Sequence, residues 1–238
     1  MLLTTVTIWA LSITVSKYIL SHGFLPLAYA SVRYGAAVVI LAAVTLVSER
    51  SLAIGGRRDL AWVGIAVLAL WLNQICFVYA LKLASATTVA LILGTVPIFA
   101  GLFASLIGLE RLTRRSWLAA SISFGGVALV ALGGGGELGG DLGGDLLAVG
   151  TAATWAAYSV AVAPPMRRYS PYRLSAVILF LMWVLLALTG SGQLADQDFG
   201  EFGARVWLGF AFAVVGPLVL TTILWFTAID RVGPSPSE

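Results

Sequence analysis

Eight stretches of this chain are apolar, nearly free of charge and about as long as a bilayer's hydrocarbon core is thick, roughly 20 residues of helix. They run over 2–20, 26–47, 60–81, 86–108, 116–132, 146–163, 172–189 and 206–229. Unpaired backbone groups are intolerable in lipid, so only helices or a closed barrel can span it, and runs of this length are helical. The expected fold is therefore all-α: a polytopic membrane helix bundle of about eight transmembrane helices. Hydrophobic residues make up 60% of the chain and charged residues 11%, against about a quarter charged in an ordinary soluble domain. A water-soluble fold could not hide that much apolar surface.

The loops test the span count through the positive-inside rule, which counts Lys and Arg in short loops. Loops after spans two, four and six hold Arg50, Arg57 and Arg58; Arg111, Arg114 and Arg115; and Arg167, Arg168 and Arg173. Arg231 follows span eight, whereas the alternate loops hold only Lys82 and Arg205. One missed or invented helix would have placed basic loops on both sides. The pattern predicts both termini on the cytoplasmic side of the cytoplasmic (inner or plasma) membrane, and it accounts for the net charge of +3 without nucleic acid. The N-terminus has no basic n-region or small-residue cleavage site, so its apolar stretch reads as a first span.

Several chemistries are excluded. One cysteine, Cys76, and one histidine, His22, form no metal, disulfide or Cys/His catalytic pattern. No Asp or Glu falls inside a span, so an intramembrane enzyme has no acid–base pair, and there is no phosphate-binding G-x-x-x-x-G-K-[ST] loop. The expectation is a non-enzyme with no catalytic residue, no metal and no cofactor, whose partners are a small-molecule substrate, the lipid bilayer and, in the assembled state, a second copy as a homodimer. The Gly-rich acidic stretch 133–145 reads as a flexible external linker; it lacks the nine-residue period of calcium-binding glycine repeats.

The chain also matches itself at an offset of about 145 residues, which aligns Trp9 with Trp155, Pro26 with Pro171 and Trp62 with Trp207. A unit with an odd number of spans must repeat upside down, as in inverted-repeat carriers. The first unit holds Pro26-Leu27-Ala28, Val32-Arg33-Tyr34, Tyr79-Ala80-Leu81-Lys82-Leu83-Ala84-Ser85-Ala86, Val96-Pro97-Ile98-Phe99, Gly108-Leu109-Glu110-Arg111-Leu112-Thr113 and Gly125-Gly126-Val127. In these runs it resembles the EamA-type transporters of the drug/metabolite transporter superfamily. The second unit is similar through Trp155-Ala156-Ala157-Tyr158, Tyr169-Ser170-Pro171 and Ala228-Ile229-Asp230-Arg231-Val232-Gly233. The resemblance implies two inverted five-helix repeats: a first over 1–132, the linker 133–145, and a second over 146–238 that is cut short after its third helix. It also implies a secondary transporter, a permease or exporter of small metabolites or drugs, working by alternating access without nucleotide hydrolysis. A truncated, non-transporting membrane fragment or partner subunit is the alternative, and a major-facilitator-like carrier, suggested only by Gly55-Gly56-Arg57-Arg58, a more distant one.

Polar groups within spans are the candidates for a pathway, because each is costly in lipid unless it faces protein or water. Lys17, Arg33, Asn73 and Gln74 all fall about 5–12 Å below the external surface at 1.5 Å per residue and could share one cavity wall. The other reading is that Lys17 and Arg33 snorkel to headgroups while the amides bond between helices. Trp9, Ser12 and Ser16 lie on one face of span one, and Thr151, Thr154 and Tyr158 on one face of span six. These faces and Trp71 complete the expected substrate pathway, with close helix packing as the other reading. Pro97 and the pair Gly216 and Pro217, near mid-span, are the expected hinges or kinks.

Overall fold

The structure, a computed structural model, describes residues 2–49, 51–108, 117–119, 121–122, 125–126 and 142–221. Among them the fold is helical, with no strand. Helix α1 runs Leu2–Ser21, α2 Pro26–Glu49, α3 Arg57–Leu83, α4 Ala86–Leu93 and α5 Val96–Leu106. Helix α6 follows at Leu142–Val162, then α7 Pro171–Thr189, α8 Ser191–Asp196 and α9 Ala204–Val214, the last continuing into a π-helical turn, Val215–Leu220. The residues described between 117 and 126 are helical.

Among the described residues, five segments are long and apolar enough to cross a membrane: Pro26–Val47, Arg57–Leu83, Ala86–Leu106, Leu142–Arg167 and Pro171–Thr189. The 20-residue α1 is about 30 Å long at 1.5 Å per residue, and Ala204–Leu220 is a shorter apolar helix. Their outer faces suit lipid: Val39 and Leu208 are each 70% exposed. Most of expected span 116–132, linker residues 133–141 and the end of span 206–229 lie outside the described residues.

Local chemistry sets the helix ends. Pro26 and Pro171 each open a helix, where the missing N–H costs nothing, and Ser170 caps α7 by accepting from Arg173 N at 3.2 Å. Gly56 precedes α3 with φ 92, a left-handed conformation in which a side chain would be strained.

Two expectations are corrected. Span four is not one kinked helix. It breaks at Gly94-Thr95, and Pro97 sits in the first turn of α5, where it starts a helix instead of bending one. Likewise, residues 142–145, expected as the end of the linker, are the first turn of α6. Gly144 explains the close docking there: a Cβ on it would lie 2.9 Å from Ala84 N and 3.0 Å from Leu83 Cβ. Gly216 and Pro217 do mark an irregularity, since they fall in the π-helical turn.

The helices pair across the middle of the chain. Helix α3 packs most extensively on α6, α2 on α7, and α1 on α9. Between α2 and α7 the fit is tight: Trp183 Nε1 donates to Ser31 O at 3.0 Å and covers Gly35. The main core therefore mixes early and late residues, from Tyr29, Val63 and Leu70 to Ile178, Met182 and Phe210.

Candidate functional site

A cavity of ≈ 600 Å³ opens among α1, α2, α3, α6, α7 and the π-helical turn. Its wall is chiefly apolar and aromatic, with Trp9, Tyr34, Leu70, Trp155, Tyr158 and Pro217 contributed by five separate segments. The rings of Trp9 and Trp155, aligned by the internal repeat, meet edge to face with centroids 6.4 Å apart. Trp155 in turn lies 5.4 Å from Tyr158. Ser159, Ser175 and Thr221 are the small polar groups of the lining. Thr221 is held in place because its hydroxyl donates to Pro217 O at 2.5 Å and accepts from Trp9 Nε1 at 3.2 Å.

Of the residues expected to form a pathway, the lining holds Trp9 and Tyr158, and it also holds Pro217, which was expected as a hinge. The others have local partners. Ser12 donates to Trp9 O, Thr151 to Leu147 O and Thr154 to Gly150 O, so these hydroxyls bond back to their own helices. Asn73 donates to Thr151 O at 2.8 Å and receives a bond from Gln74 at 2.7 Å, tying α3 to α6. Trp71 Nε1 donates to Thr189 Oγ1 at 3.3 Å.

Lys17 and Arg33 do not share a wall with the two amides. Lys17 Nζ donates to Leu81 O at 2.6 Å and Ala84 O at 2.9 Å. There it satisfies carbonyls at the C-terminus of α3, where a cation is also favoured by the helix dipole. Arg33 is 5% exposed and is held in a tyrosine cage: Nη1 donates to Tyr29 OH at 3.2 Å and Ser16 Oγ at 3.5 Å, and Nη2 to Tyr34 OH at 3.5 Å. The two tyrosine rings lie 5.4 and 5.1 Å from its guanidinium carbon, within cation–π range. Through Tyr34 this cage abuts the cavity.

Both ends of the bundle carry fastenings that sequence reading passed over. At the end holding the basic loops, Arg168 Nη1 contacts both oxygens of Asp59 at 3.1 and 3.2 Å, and Tyr169 OH donates to Gly55 O at 2.6 Å. Beside it, Arg173 Nε pairs with Glu49 at 3.1 Å, and Ser170 hydrogen-bonds the same carboxylate. At the opposite end, Gln197 and Gln193 of the α8 region accept from Leu25 N at 2.6 Å and Leu27 N at 2.8 Å, which caps α2. The acid-and-base composition of the loops after α2 and α6 was the available signal for the first set. Nothing marked the glutamines.

The model of the EamA-like transporter family matches residues 1–132, more than half of the chain. The chain belongs to the EamA-like transporter family. It is thus a membrane transporter of the drug/metabolite superfamily. Among solved structures, a crystal structure of a protein 22% identical in sequence has a similar fold, with a TM-score of 0.63 over 96% of this chain and 79% of the other. No curated protein matched the chain. Membership of the EamA-like family agrees with the cavity's make-up, since pockets for small molecules are concave, largely apolar and fitted with a few polar groups.

Proposed function

We propose that this EamA-like chain carries a small metabolite or drug across the cytoplasmic membrane by alternating access, driven by a gradient or by exchange, with both termini in the cytoplasm. The observation that carries the reading is the cavity of ≈ 600 Å³ walled by both parts of the chain. Its volume suits a small molecule, and a site between two units is where rocking of one against the other exposes it to each side in turn.

The helix pairing supports two inverted units, over 1–132 and 146–238. If α1, α2 and α3 correspond to α6, α7 and α9, then the α3–α6 interface is the counterpart of α9–α1, and α2–α7 pairs with itself. Such a two-fold relation gives two conformations of similar energy. The ion pairs Asp59–Arg168 and Glu49–Arg173 then close the cytoplasmic end in this conformation, and Gln193 and Gln197 brace the outer end.

Accessibility tests this directly. Ser159→Cys, made in a Cys76→Ser background, places one thiol in the cavity wall. In right-side-out and inside-out vesicles, an impermeant maleimide is expected to label it from either side. Labelling from one side alone, under every ionic condition and with Asp59→Asn to loosen the cytoplasmic end, overturns alternating access.

A further inference from the structure

The guanidinium of Arg33 is buried, and no carboxylate among the described residues pairs with it. A cation at this depth is expensive unless compensated, and two tyrosine faces supply only part of that compensation. Its hydrogen bonds are also unevenly placed. Nη1 has two acceptors, Tyr29 and Ser16, whereas the opposite edge, formed by Nε and Nη2, has one weak bond of 3.5 Å to Tyr34. Nε itself is buried without any acceptor.

That edge is one through which arginine receives a carboxylate with two parallel hydrogen bonds. Its single occupant, Tyr34, is also a residue of the cavity wall. We propose that Arg33 is the anion-recognition residue of this transporter, and that the transported molecule is a compact, largely apolar monoanion, a carboxylate or sulfonate, whose oxyanion takes the Nε/Nη2 edge as Tyr34 moves aside. A single charge follows from the site: one guanidinium neutralises one negative charge, and a dianion would leave an uncompensated charge in a cavity with few polar groups. The aromatic wall of Trp9, Trp155 and Tyr158 takes the apolar body. The inference rests on the transporter reading and adds to it the chemical class of the substrate.

The test compares benzenesulfonate with its neutral isostere benzenesulfonamide, titrated into the purified full chain in zwitterionic detergent and followed by tryptophan fluorescence. The sulfonate is expected to bind at least about tenfold more tightly, roughly one charge-assisted hydrogen-bonding edge. Arg33→Gln is expected to abolish the preference, and Arg33→Lys, which keeps the charge without the fork, to restore part of it. Tyr34→Phe, which removes the competing hydroxyl, is expected to keep or sharpen it, and it supplies the test if Arg33→Gln does not fold. Equal binding of the two probes, no sulfonate binding, or a preference that survives Arg33→Gln overturns the proposal. Competition by phosphatidylglycerol but not phosphatidylcholine would assign the edge to a lipid headgroup and overturn it also. Two-sided labelling of Ser159→Cys without any sulfonate preference would remove this inference and leave the transporter reading intact.

Discussion

The Asp59–Arg168 pair is unequal in its surroundings, and the inequality predicts an unusual pattern of stabilities. Asp59 has a side chain only 7% exposed, whereas that of Arg168 is 62% exposed. Replacing Arg168 with Ala leaves a buried carboxylate whose neighbouring hydroxyl, Tyr169 OH at 3.2 Å, shares its one proton with the closer Gly55 O at 2.6 Å. An uncompensated buried charge costs about 3–5 kcal/mol. Discounted for the solvent that reaches this site, the expected loss is about 1–2 kcal/mol. Asp59→Asn removes the charge but keeps the shape, and it releases Arg168 into water, so its loss is nearer about 0.5–1 kcal/mol. The double variant no longer contains the orphaned carboxylate. It is expected to be more stable than Arg168→Ala alone and close to Asp59→Asn. Equilibrium unfolding in mixed micelles, followed by circular dichroism against the fraction of denaturing detergent, measures all four proteins. Simple additivity, with the double variant the least stable, would refute the argument that the buried carboxylate sets the cost.

Three further outcomes are expected. Lys17→Met removes the cation from the carbonyls of Leu81 and Ala84 and is expected to cost about 1–2 kcal/mol by the same unfolding assay, with Lys17→Arg recovering part of it. Gly35→Ala places a Cβ 2.8 Å from Trp183 Nε1 and is expected to cost about 1–3 kcal/mol, less in a Trp183→Phe background where the ring leaves room; an equal loss in both backgrounds would show that the ring is not the obstacle. Asn73→Leu breaks the bond to Thr151 O and strands the Gln74 amide, with an expected loss of about 1–2 kcal/mol, and hydrogen exchange in α6 is expected to rise around Thr151.

What could be read from the sequence was whatever depends on one helix at a time. Apolar length marked the helices, and the repeat alignment picked out Trp9 and Trp155 without showing that their rings meet. What could not be read depends on which helix meets which. Lys17 was legible as a cation at a certain depth, but its partner carbonyls lie more than 60 residues away in the chain. Arg33 was legible as a cation within a span, while its cage needed Ser16 from another helix together with Tyr29 and Tyr34 from its own. The break at Gly94-Thr95 was hidden because the apolar run continues unbroken through it, and the proline three residues later drew attention to the wrong place. Asp59 was not singled out, because Arg168 is 109 residues distant.

The pairing of α2 with α7 and of α3 with α6 has a consequence for how the protein is made. A ribosome that has released only α1 to α5 has inserted helices whose best partners do not yet exist, since the core joins Tyr29 and Leu70 to Ile178 and Met182. Gly35 waits for Trp183, and Leu25 and Leu27 wait for glutamines synthesised about 170 residues later. Until α7 emerges, the first helices hold only the contacts they make among themselves, such as those of α1 and α2 with α3. A nascent chain halted before α7 is therefore expected to lack most of its main core.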